Sequence, residues 1–450
     1  MSGYEKLEHI RENVLLLVDQ RDDKQLGQLF IETHFADIAD ILNELEYTQA
    51  NYLFRLLEKE KAADVLTELE EETRNYILEH SSSTEIATRL EDMDTDDAAD
   101  MLAEVSDERR ETIFAAINND TYVGDIKELM TYAENSAGGL MAKELVSVQE
   151  NWTVSGCLAK IRTQAQNVTR VHSVYVVDQY NSLIGRLSLK DLLIARDQAT
   201  ISQIYIPKVT KVHVHTSAEE VARIMQKYDL EALPVIDDDE KLLGRITIDD
   251  ILDFVKEEAD KDYQMAAGIS QDVEANDGIL ELTKARLPWL ILGMLGGLAS
   301  VFIMQSYEPA LQAFPKLFFF TPLIAAMAGN VGVQSSAIIV QGLANDTVKG
   351  SMLKRLLKEL ALSGITATVL GALIIVFTQF IGMSLLFGYT IALALLGVII
   401  VAAIIGTFIP IILSKRGVDP AIATGPFITT SNDIFGIYLF FQIARYMLNF

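Results

Sequence analysis

Acidic residues almost disappear from this sequence after residue 286. Of 63 acidic residues in the 450-residue chain, only Glu308, Asp346, Glu359, Asp419 and Asp433 lie beyond that point. The same region contains apolar runs long enough to cross a hydrocarbon core of about 30 Å, for which a helix needs roughly 20 residues. We therefore predict a soluble part followed by a five-helix α transmembrane domain over residues 287–450. The expected spans are about 287–306, 317–341, 359–382, 389–413 and 426–448.

Lysine and arginine in the short loops predict how the chain crosses the membrane, because cytoplasmic loops carry an excess of these residues. They lie before span 1, between spans 2 and 3 and between spans 4 and 5, whereas the opposite loops offer only Lys316. The pattern predicts a multi-pass protein of the plasma (cytoplasmic) membrane, with cytosolic N-terminal domains and the C-terminus outside. No run near residue 1 resembles a signal peptide. A single cysteine, Cys157, excludes an intramolecular disulfide.

Residues 1–130 are predicted to be all helical, because a short sequence element recurs along them. It reads "ADILNEL" from residue 39, "ADVLTEL" from 63, "ATRLEDM" from 87 and "ADMLAEV" from 99. These offsets of 24 and 12 residues indicate a half-unit of one short helix and a turn. Stacked helical hairpins of this kind form a superhelical all-α domain.

A second repeat follows within residues 131–256. The stretches "VYVVDQYNSLIGRLSLKDLLIA", from Val174, and "LPVIDDDEKLLGRITIDDILDF", from Leu233, align without a gap at an offset of 59. Each predicts a strand, a polar turn, a strand and a helix, and each is preceded by a further strand and an N-capped helix. The repeat resembles a tandem pair of α/β CBS domains. That resemblance implies a site for an adenine nucleotide such as ATP, with Ser188, Lys190 and Asp191 as candidate residues. The alternative for Asp191 and for Asp250 is that each carboxylate only begins or caps a helix.

Residues 257–286 are polar and helix-prone, and we predict a connecting helix that runs into span 1. It would transmit movement of the CBS pair to the membrane, or serve as a passive linker. Carboxylates are dense before and within it, in "DMDTDDAAD", "IDDDEK" and "ITIDDILDFVKEEADKD". Mg²⁺ prefers oxygen ligands and commonly uses one or two carboxylates while keeping several waters. Divalent cations would therefore draw this acidic part into a compact state.

Asp433 is an ionisable residue inside the fifth predicted span. Such a residue costs roughly 2.5–3.5 kcal/mol on insertion scales and is by default a functional-site candidate. Thr430 and Asn432 precede it, and span 2 carries further polar and small residues in "AGNVGVQSS". Hydroxyls, amides and carbonyls replace part of an ion's hydration shell, and a carboxylate supplies charge. Helix packing is the alternative for the small and hydroxyl residues. The candidates in span 2 are Gly329, Asn330 and Gln334.

The order of these parts, with "GNVGVQSS" in span 2 and "PFITTSND" opening span 5, resembles the MgtE family of magnesium transporters over nearly the whole chain. The resemblance implies a homodimer with an ion pathway lined by spans 2 and 5 of both subunits. Asp433 would attract partly hydrated Mg²⁺ there, and Asp419 would lie at the inner mouth. It also implies regulatory Mg²⁺ that closes the pathway when cytosolic Mg²⁺ is plentiful. The matching acids are Asp97, Asp100, Glu219, Asp229, Asp250, Asp253, Glu258 and Asp262.

Three positions depart from this resemblance. Gly425 stands where some members have asparagine, Lys261 where an acid would suit the connector, and His215 replaces an acid. The first bears on cation selectivity, and the other two bear on regulatory affinity.

The sequence thus predicts a Mg²⁺-selective channel or transporter that moves divalent cations into the cytoplasm down their electrochemical gradient. The alternatives are a membrane-anchored CBS sensor of nucleotides or ions without transport, and a CBS-regulated anion or solute carrier. We expect no enzymatic activity, because no paired catalytic constellation is present. We also expect no nucleic-acid partner for a chain of net charge −26.

Overall fold

The structure, a computed structural model, describes residues 3–20, 22–164, 171, 173–271, 273, 277–344, 351–423 and 425–449. It consists of two units, Met1–Val255 and Lys256–Phe450, each with its own hydrophobic core. The first unit contains the helical repeats and the CBS-like repeats. The second contains the apolar helices.

Short helices fill the first part of the chain, and their starts recur with a fixed spacing. Helices α2 to α9 begin every 12 residues, from Asp23 to Asp107, which confirms the half-unit seen in the sequence. Helices two positions apart pack together, as α3 does with α5 and α5 with α7, so the domain is a stack of hairpins. The helices are α1 Gly3–Gln20, α2 Asp23–Glu32, α3 Phe35–Asn43, α4 Tyr47–Phe54, α5 Lys59–Glu68, α6 Glu71–His80, α7 Ser83–Leu90, α8 Thr95–Glu104, α9 Asp107–Phe114 and α10 Asp120–Leu129.

Two small sheets follow with the same local order, which confirms the second repeat. In each, a first strand pairs in parallel with a second, and the second pairs antiparallel with a third. The first repeat contains β1 Val146–Gln149, α11 Val154–Gln164, β2 Val174–Val177, β3 Leu183–Leu187, α12 Leu189–Ile194, a 3₁₀ helix Ile201–Gln203 and β4 Ile206–Pro207. The second contains β5 Val212–His213, α13 Ala218–Tyr228, β6 Ala232–Ile236, β7 Leu242–Thr247 and α14 Ile248–Ala267.

The turns between the paired strands repeat in atomic detail. Asp178 Oδ1 accepts hydrogen bonds from the backbone N–H groups of Tyr180 and Ser182. Asp237, 59 residues later, accepts from the corresponding positions in the second repeat. An aspartate that bonds to the backbone two residues on stabilises such a turn. The gapless alignment therefore reflects the same turn built twice.

The connecting segment differs from the single helix expected over residues 257–286. Helix α14 ends at Ala267, and the next helix, α15, begins at Ile279. The break follows from Gly268, whose φ of 82° lies in the left-handed region. The N–H of Gly268 donates to Met265 O at 3.0 Å and that of Ile269 to Gln264 O at 2.9 Å, which is a Schellman cap. The described part of the connector thus contains the end of α14 and the start of α15 rather than one continuous helix.

The second unit is built from long apolar helices. Among the described residues, four segments are long and apolar enough to cross a membrane: Ile279–Ser306, Pro315–Ala344, Met352–Phe380 and Leu385–Lys415. The fifth expected span is a helix of 23 residues, but its polar run TTSND keeps its hydropathy below theirs. The elements are α15 Ile279–Ser306, α16 Glu308–Ala313, a 3₁₀ helix Pro315–Phe320, α17 Thr321–Ala344, α18 Met352–Phe380, α19 Leu385–Lys415, a 3₁₀ helix Pro420–Ala423 and α20 Pro426–Leu448.

Helix α19 lies at the centre of this bundle and packs against α17, α18 and α20. Small residues set the closest approach: Gly406 of α19 lies directly on the backbone carbonyl of Gly332 in α17. Large apolar side chains point outward, as Val376 and Phe380 do with 67% and 88% exposure. A lipid environment favours this arrangement, in which apolar side chains cover the outside of the bundle and polar residues lie inside it.

Candidate ion pathway and metal sites

Asp433 lies in the second turn of α20, on the side that faces α17. A Cβ atom at Gly329 of α17 would lie 3.5 Å from Asp433 Oδ1 and 3.0 Å from Thr429 Cγ2. The missing side chain at Gly329 therefore leaves room for the carboxylate beside the α17 backbone. Asp433 is only partly buried in the single chain.

Asn330 and Gln334 lie near this point on α17 and are exposed. Residues four apart lie one above the other on the same face of a helix, so the two amides form one polar strip. Asn330 and Gln334 are thus predicted pathway residues that lie on the surface of the single chain. Gly329 is a predicted pathway residue that lies beside the carboxylate of Asp433.

Asn432 and Thr430 point elsewhere. Asn432 is 1% exposed and its amide lies against Gly332, inside the bundle. Its Oδ1 and Nδ2 atoms have no hydrogen-bond partner among the described residues. The methyl group of Thr430 lies against Gly296 of α15. Successive helical residues differ by about 100° in direction, so neighbours of Asp433 in sequence cannot all share its face.

The start of α20 is tightly packed against the end of α14. Gly425, with a φ of 57°, lies on the carbonyl oxygen of Ala266, and Gly268 lies on the ring of Pro426. A Cβ atom at either glycine would clash with these groups. Within the second unit, the last turn of α14 therefore lies directly against the end of the helix that carries Asp433.

Acidic side chains surround the same region. Asp419 is exposed, and its Oδ1 accepts a hydrogen bond from Ala421 N at 2.8 Å, which caps the 3₁₀ helix before α20. The pKa of Asp262 in α14 is raised by partial burial, then by the negative charges of Asp419 and Glu258. Lys261 lies 3.7 Å from Glu258, so this part of the connector already contains one cation. The structure thus brings together three of the predicted metal ligands.

A second group of carboxylates lies in the first unit, between α8 and the second CBS repeat. We define the acidic cluster as Asp94, Asp96, Asp97, Glu144 and Asp250. Asp96 is 8% exposed, and its pKa is raised well above the usual value by burial, then by Asp97 and Asp250. Burial also raises the pKa of Glu144. Carboxylates held together in this way repel one another unless protons or cations neutralise them.

Asp97 and Asp250 were expected from the sequence, and the structure places them near each other. Asp250 Oδ2 accepts hydrogen bonds from Thr247 N at 2.8 Å and Thr247 Oγ1 at 2.7 Å, so the capping alternative describes part of its role. Its pKa is nevertheless raised by burial, against the effect of those bonds. The pKa of Asp97 is raised to about 7 by loss of surrounding water, then by Asp250 and Asp94, although its side chain keeps an exposed surface. Asp100, also exposed, adds to this repulsion.

Sequence reasoning missed Asp94, Asp96 and Glu144 as members of the cluster. The first two lie within the quoted stretch "DMDTDDAAD", which was the available signal. Glu144 gave none, because it is an isolated acid 49 residues from its partner: Glu144 Oε2 accepts hydrogen bonds from Thr95 N at 3.1 Å and Thr95 Oγ1 at 2.8 Å.

The remaining predicted ligands are not brought together. Glu219 is in the first turn of α13 and Asp229 is its C-cap, so about 15 Å of helix separates them at 1.5 Å per residue. Both are exposed, as is Asp253 in α14. In the part of the chain that the structure describes, no three His, Cys, Asp or Glu side chains converge closely enough to hold a metal ion directly.

The candidate nucleotide residues follow β3 directly. Ser188 is the N-cap of α12 and makes no capping hydrogen bond with its side chain in the described structure. Lys190 is exposed, and Asp191 lies in the first turn of the same helix. A cation and a carboxylate thus occupy consecutive positions just after a strand.

These features define a multidomain membrane protein in which helical repeats and a CBS pair precede a bundle of apolar helices. Residues 33–135 match the family model of the MgtE intracellular N domain, and residues 137–197 and 201–257 match the CBS domain. Residues 321–443 match the MgtE family model, described as a divalent cation transporter.

Curated relatives extend the match over most of the chain. The magnesium transporter MgtE of Enterococcus faecalis is 38% identical over 328 residues, which is 73% of this chain and 72% of the relative. That of Thermus thermophilus is 31% identical over 437 residues, 96% of this chain and 97% of the relative. The chain belongs to the MgtE family of magnesium transporters.

Two solved structures resemble the soluble part. The soluble part of a magnesium transporter is 31% identical with a TM-score of 0.52, and the match covers 56% of this chain and 99% of that one. The cytosolic domain of the Mg²⁺ channel MgtE in complex with ATP is 33% identical with a TM-score of 0.52, covering 54% of this chain and 99% of that one.

Proposed function

We propose that this chain conducts Mg²⁺ through the plasma membrane into the cytoplasm, down the electrochemical gradient. The observation that carries the proposal is Asp433, a partly accessible carboxylate on a helix of the apolar unit, beside the bare backbone of Gly329. A membrane potential that is negative inside drives a divalent cation inward with about 4.6 kcal/mol per 100 mV, twice the value for a single charge. Transport needs no other energy source under these conditions.

Asp433 supplies the negative charge of the pathway, and the amides of Asn330 and Gln334 supply polar atoms to the waters around the ion. Mg²⁺ gives up its hydration shell reluctantly and usually keeps several waters. One carboxylate from each of two subunits, acting through such waters, therefore fits a hydrated ion. Asn432 and Thr430 hold α20 in position instead, because both side chains lie against neighbouring glycines.

We propose that the functional unit is a homodimer. Asn330 and Gln334 are exposed in the single chain, on a helix of the apolar unit. Exposed amides are costly in lipid, where every polar group must find a partner. A second copy placed across this strip would enclose a polar pathway and supply the second Asp433.

Regulatory Mg²⁺ is proposed at two places. In the acidic cluster it would neutralise Asp97 and Asp250, together with the neighbouring Asp100. At the end of α14 it would join Glu258, Asp262 and Asp419. Helix α14 runs from the second CBS repeat into the second unit, so binding in the first unit can move the residues against which α20 begins. Cytosolic Mg²⁺ would thereby close the pathway. Glu219, Asp229 and Asp253 are proposed as additional ligands that act through water.

ATP is proposed as a ligand of the CBS pair, at Ser188, Lys190 and Asp191. The solved relative that contains ATP supports this, because it is 33% identical to this chain over the same domains. Calorimetric titration with ATP should detect binding to wild type and a loss of at least tenfold in affinity for Asp191→Ala, since a charged hydrogen bond is worth about 1.5–3 kcal/mol. The exposed Asp197 provides the control, as Asp197→Ala should bind ATP like wild type.

The test of transport is Mg²⁺ uptake into proteoliposomes under an inside-negative potential. Wild type should take up Mg²⁺ at low internal Mg²⁺ and stop at several millimolar. Asp433→Asn keeps the size of the side chain but removes its charge, and uptake should be abolished. Glu308→Gln, at the exposed start of α16, controls for removal of a carboxylate elsewhere in the unit. Full uptake by a folded Asp433→Asn variant would refute the pathway.

The proposed dimer is tested separately, by disulfide cross-linking. The chain suits this method because its single cysteine is buried. In a Cys157→Ser background, Gln334→Cys places a thiol on the exposed strip of α17. Oxidation in the membrane should then give a covalent dimer, whereas Gln312→Cys on α16 should not. An absence of cross-linking at 334 would contradict the proposed subunit contact.

A further inference from the structure

Arg245 of β7 lies beside the acidic cluster and is almost fully buried. It is 4% exposed, and its Nη2 donates to Asp94 Oδ2 at 3.1 Å. The two residues are 151 positions apart, one in the helical domain and one in the second CBS repeat. A buried guanidinium is an uncommon choice unless it is paired, because it cannot lose its charge. The contact therefore joins two domains of the first unit through a permanent cation.

The contact also changes how α8 begins. Asp94 is the N-cap of α8, a position at which an aspartate usually accepts a hydrogen bond from the first turn. Among the described residues, its carboxylate makes no hydrogen bond of this capping kind and accepts one from Arg245. Glu144, from the segment before β1, accepts from Thr95 N in its place. The start of α8 thus uses one carboxylate of its own and one from the following domain to hold the domains together.

The backbone fixes where the guanidinium can reach. Arg245 N donates to Ala142 O at 2.9 Å, and Ala142 N donates to Arg245 O at 2.8 Å. The same strand pairs with β6 at Pro234. Arg245 is therefore held in a sheet on one side and to the segment that leads into β1 on the other. Its charge opposes the raised pKa of Asp250, so it also acts on the proposed metal ligand.

The neighbouring lysine does not take this role. Lys143 lies beside Glu144 in sequence, but its Nζ is 2.7 Å from Glu128 Oε1, at the end of α10. Its ammonium is directed to that carboxylate, whereas the guanidinium of Arg245 is directed to Asp94. The acidic cluster contains five carboxylates. In the contacts that the structure describes, the guanidinium of Arg245 pairs with Asp94 and its charge acts on Asp250.

We propose that Arg245 is a built-in cation that docks the helical domain on the CBS pair without Mg²⁺, and so lowers the positive charge that Mg²⁺ must add. The docked state is then already populated at low Mg²⁺ and is completed, rather than created, by the ion. The docking by Arg245 is independent of the proposed regulation, and only the completion by Mg²⁺ rests on it.

The experiment measures docking in the full-length protein in detergent, by energy transfer between dyes at Glu108→Cys and Tyr180→Cys in a Cys157→Ser background. Both positions are exposed and lie in the helical domain and the first CBS repeat. In EDTA, Arg245→Gln should raise the ratio of undocked to docked protein by roughly tenfold or more, because the charged hydrogen bond between the buried guanidinium and Asp94 is lost. Arg245→Lys keeps the charge, so its ratio of undocked to docked protein should lie between those of wild type and Arg245→Gln.

Arg223→Gln is the matched control, since Arg223 is 55% exposed on α13 and pairs with Glu220 in the same helix. It should dock like wild type in EDTA. Asp94→Asn tests the same contact from the other domain, and in a double-mutant cycle its effect should not add to that of Arg245→Gln. This second variant keeps the test decisive if Arg245→Gln fails to fold.

Docking of Arg245→Gln in EDTA equal to wild type would overturn the proposal, as would additive effects of the two variants. Addition of 10 mM Mg²⁺ distinguishes docking by Arg245 from the proposed regulation by Mg²⁺. Recovery of docking in Arg245→Gln supports both. A difference between wild type and Arg245→Gln in EDTA, with no response of either to Mg²⁺, supports the role of Arg245 and contradicts the proposed regulation.

Discussion

The carboxylate of Asp433 in α20 lies so close to Gly329 in α17 that a methyl group at residue 329 would contact it, with 3.5 Å between Cβ and Oδ1. The same methyl group would lie 3.0 Å from Thr429 Cγ2. A glycine in the middle of a long helix costs roughly 0.5–1 kcal/mol relative to alanine, so its presence here needs a local reason. The tight contact with Thr429 and the space beside Asp433 are the two local features at this position.

Gly329→Ala should therefore lower Mg²⁺ uptake without lowering thermal stability. The methyl group would crowd Thr429 Cγ2 at 3.0 Å and fill the space beside Asp433, while alanine favours the helix by about 1 kcal/mol. Uptake and melting temperature would be measured on the same preparation. Gly297→Ala in α15 is the control, because nothing lies within 4 Å of its added Cβ atom. Equal uptake by the two variants would show that the space at Gly329 is not used.

A second glycine contact determines how closely two helices approach. Gly406 of α19 lies on the carbonyl oxygen of Gly332, so Gly406→Ala must move backbone rather than a side chain. Overpacking of this kind typically costs about 1–3 kcal/mol, and we expect a lower melting temperature together with reduced uptake. Gly364→Ala, an open position in α18, should change neither. A Gly406→Ala variant as stable as wild type would contradict the close packing of α17 on α19.

The acidic cluster predicts a pH dependence of docking in the first unit when Mg²⁺ is absent. A carboxyl whose pKa is raised in the docked state binds its proton more tightly there, so docking is favoured at low pH and weakens as pH rises through the docked pKa. For Asp97 the pKa rises from 3.8 to about 7, and those of Asp96 and Asp250 are raised as well. Energy transfer in EDTA should therefore fall between about pH 4 and pH 7.

Asp97→Asn supplies the control for that titration. It removes one titrating group and its repulsion of Asp250, so the fall between about pH 4 and pH 7 should become shallower and docking above that range should increase. A titration curve that is unchanged by Asp97→Asn would show that the charge of Asp97 does not oppose docking.

Local features of the fold were predicted correctly from the sequence, because each depends on neighbours along the chain. The 12-residue spacing of the helices and the turns at Asp178 and Asp237 repeat in the sequence as they do in space. The break after α14 was missed, since Gly268 is a single glycine in a polar, helix-prone stretch. Neither its φ of 82° nor its close approach to Pro426 has a signal in the local sequence.

The site was predicted in part for the same reason. Asp433 was selected as a candidate from the sequence because an isolated carboxylate in an apolar stretch is unusual whatever its surroundings, and its role in the pathway stays a prediction. The direction of Asn432 into the bundle was not found, because it depends on the glycine opposite, in another helix. The pairs Asp94–Arg245 and Thr95–Glu144 join residues 151 and 49 positions apart, and no local pattern marks such contacts.

Lys261 should set the Mg²⁺ concentration at which the pathway closes. Its Nζ lies 3.7 Å from Glu258, and both side chains are 37% exposed, so the pair is a weak internal substitute for a bound cation. Lys261→Gln frees Glu258 and should lower the internal Mg²⁺ needed for half inhibition of uptake by up to about fivefold, the equivalent of an exposed pair worth 0.2–1 kcal/mol. Uptake would be measured over a series of internal Mg²⁺ concentrations. Lys256→Gln, an exposed position earlier in α14, removes the same charge from the same helix and should leave the midpoint unchanged. If both variants shift it equally, the overall charge of α14 matters and the pair with Glu258 does not.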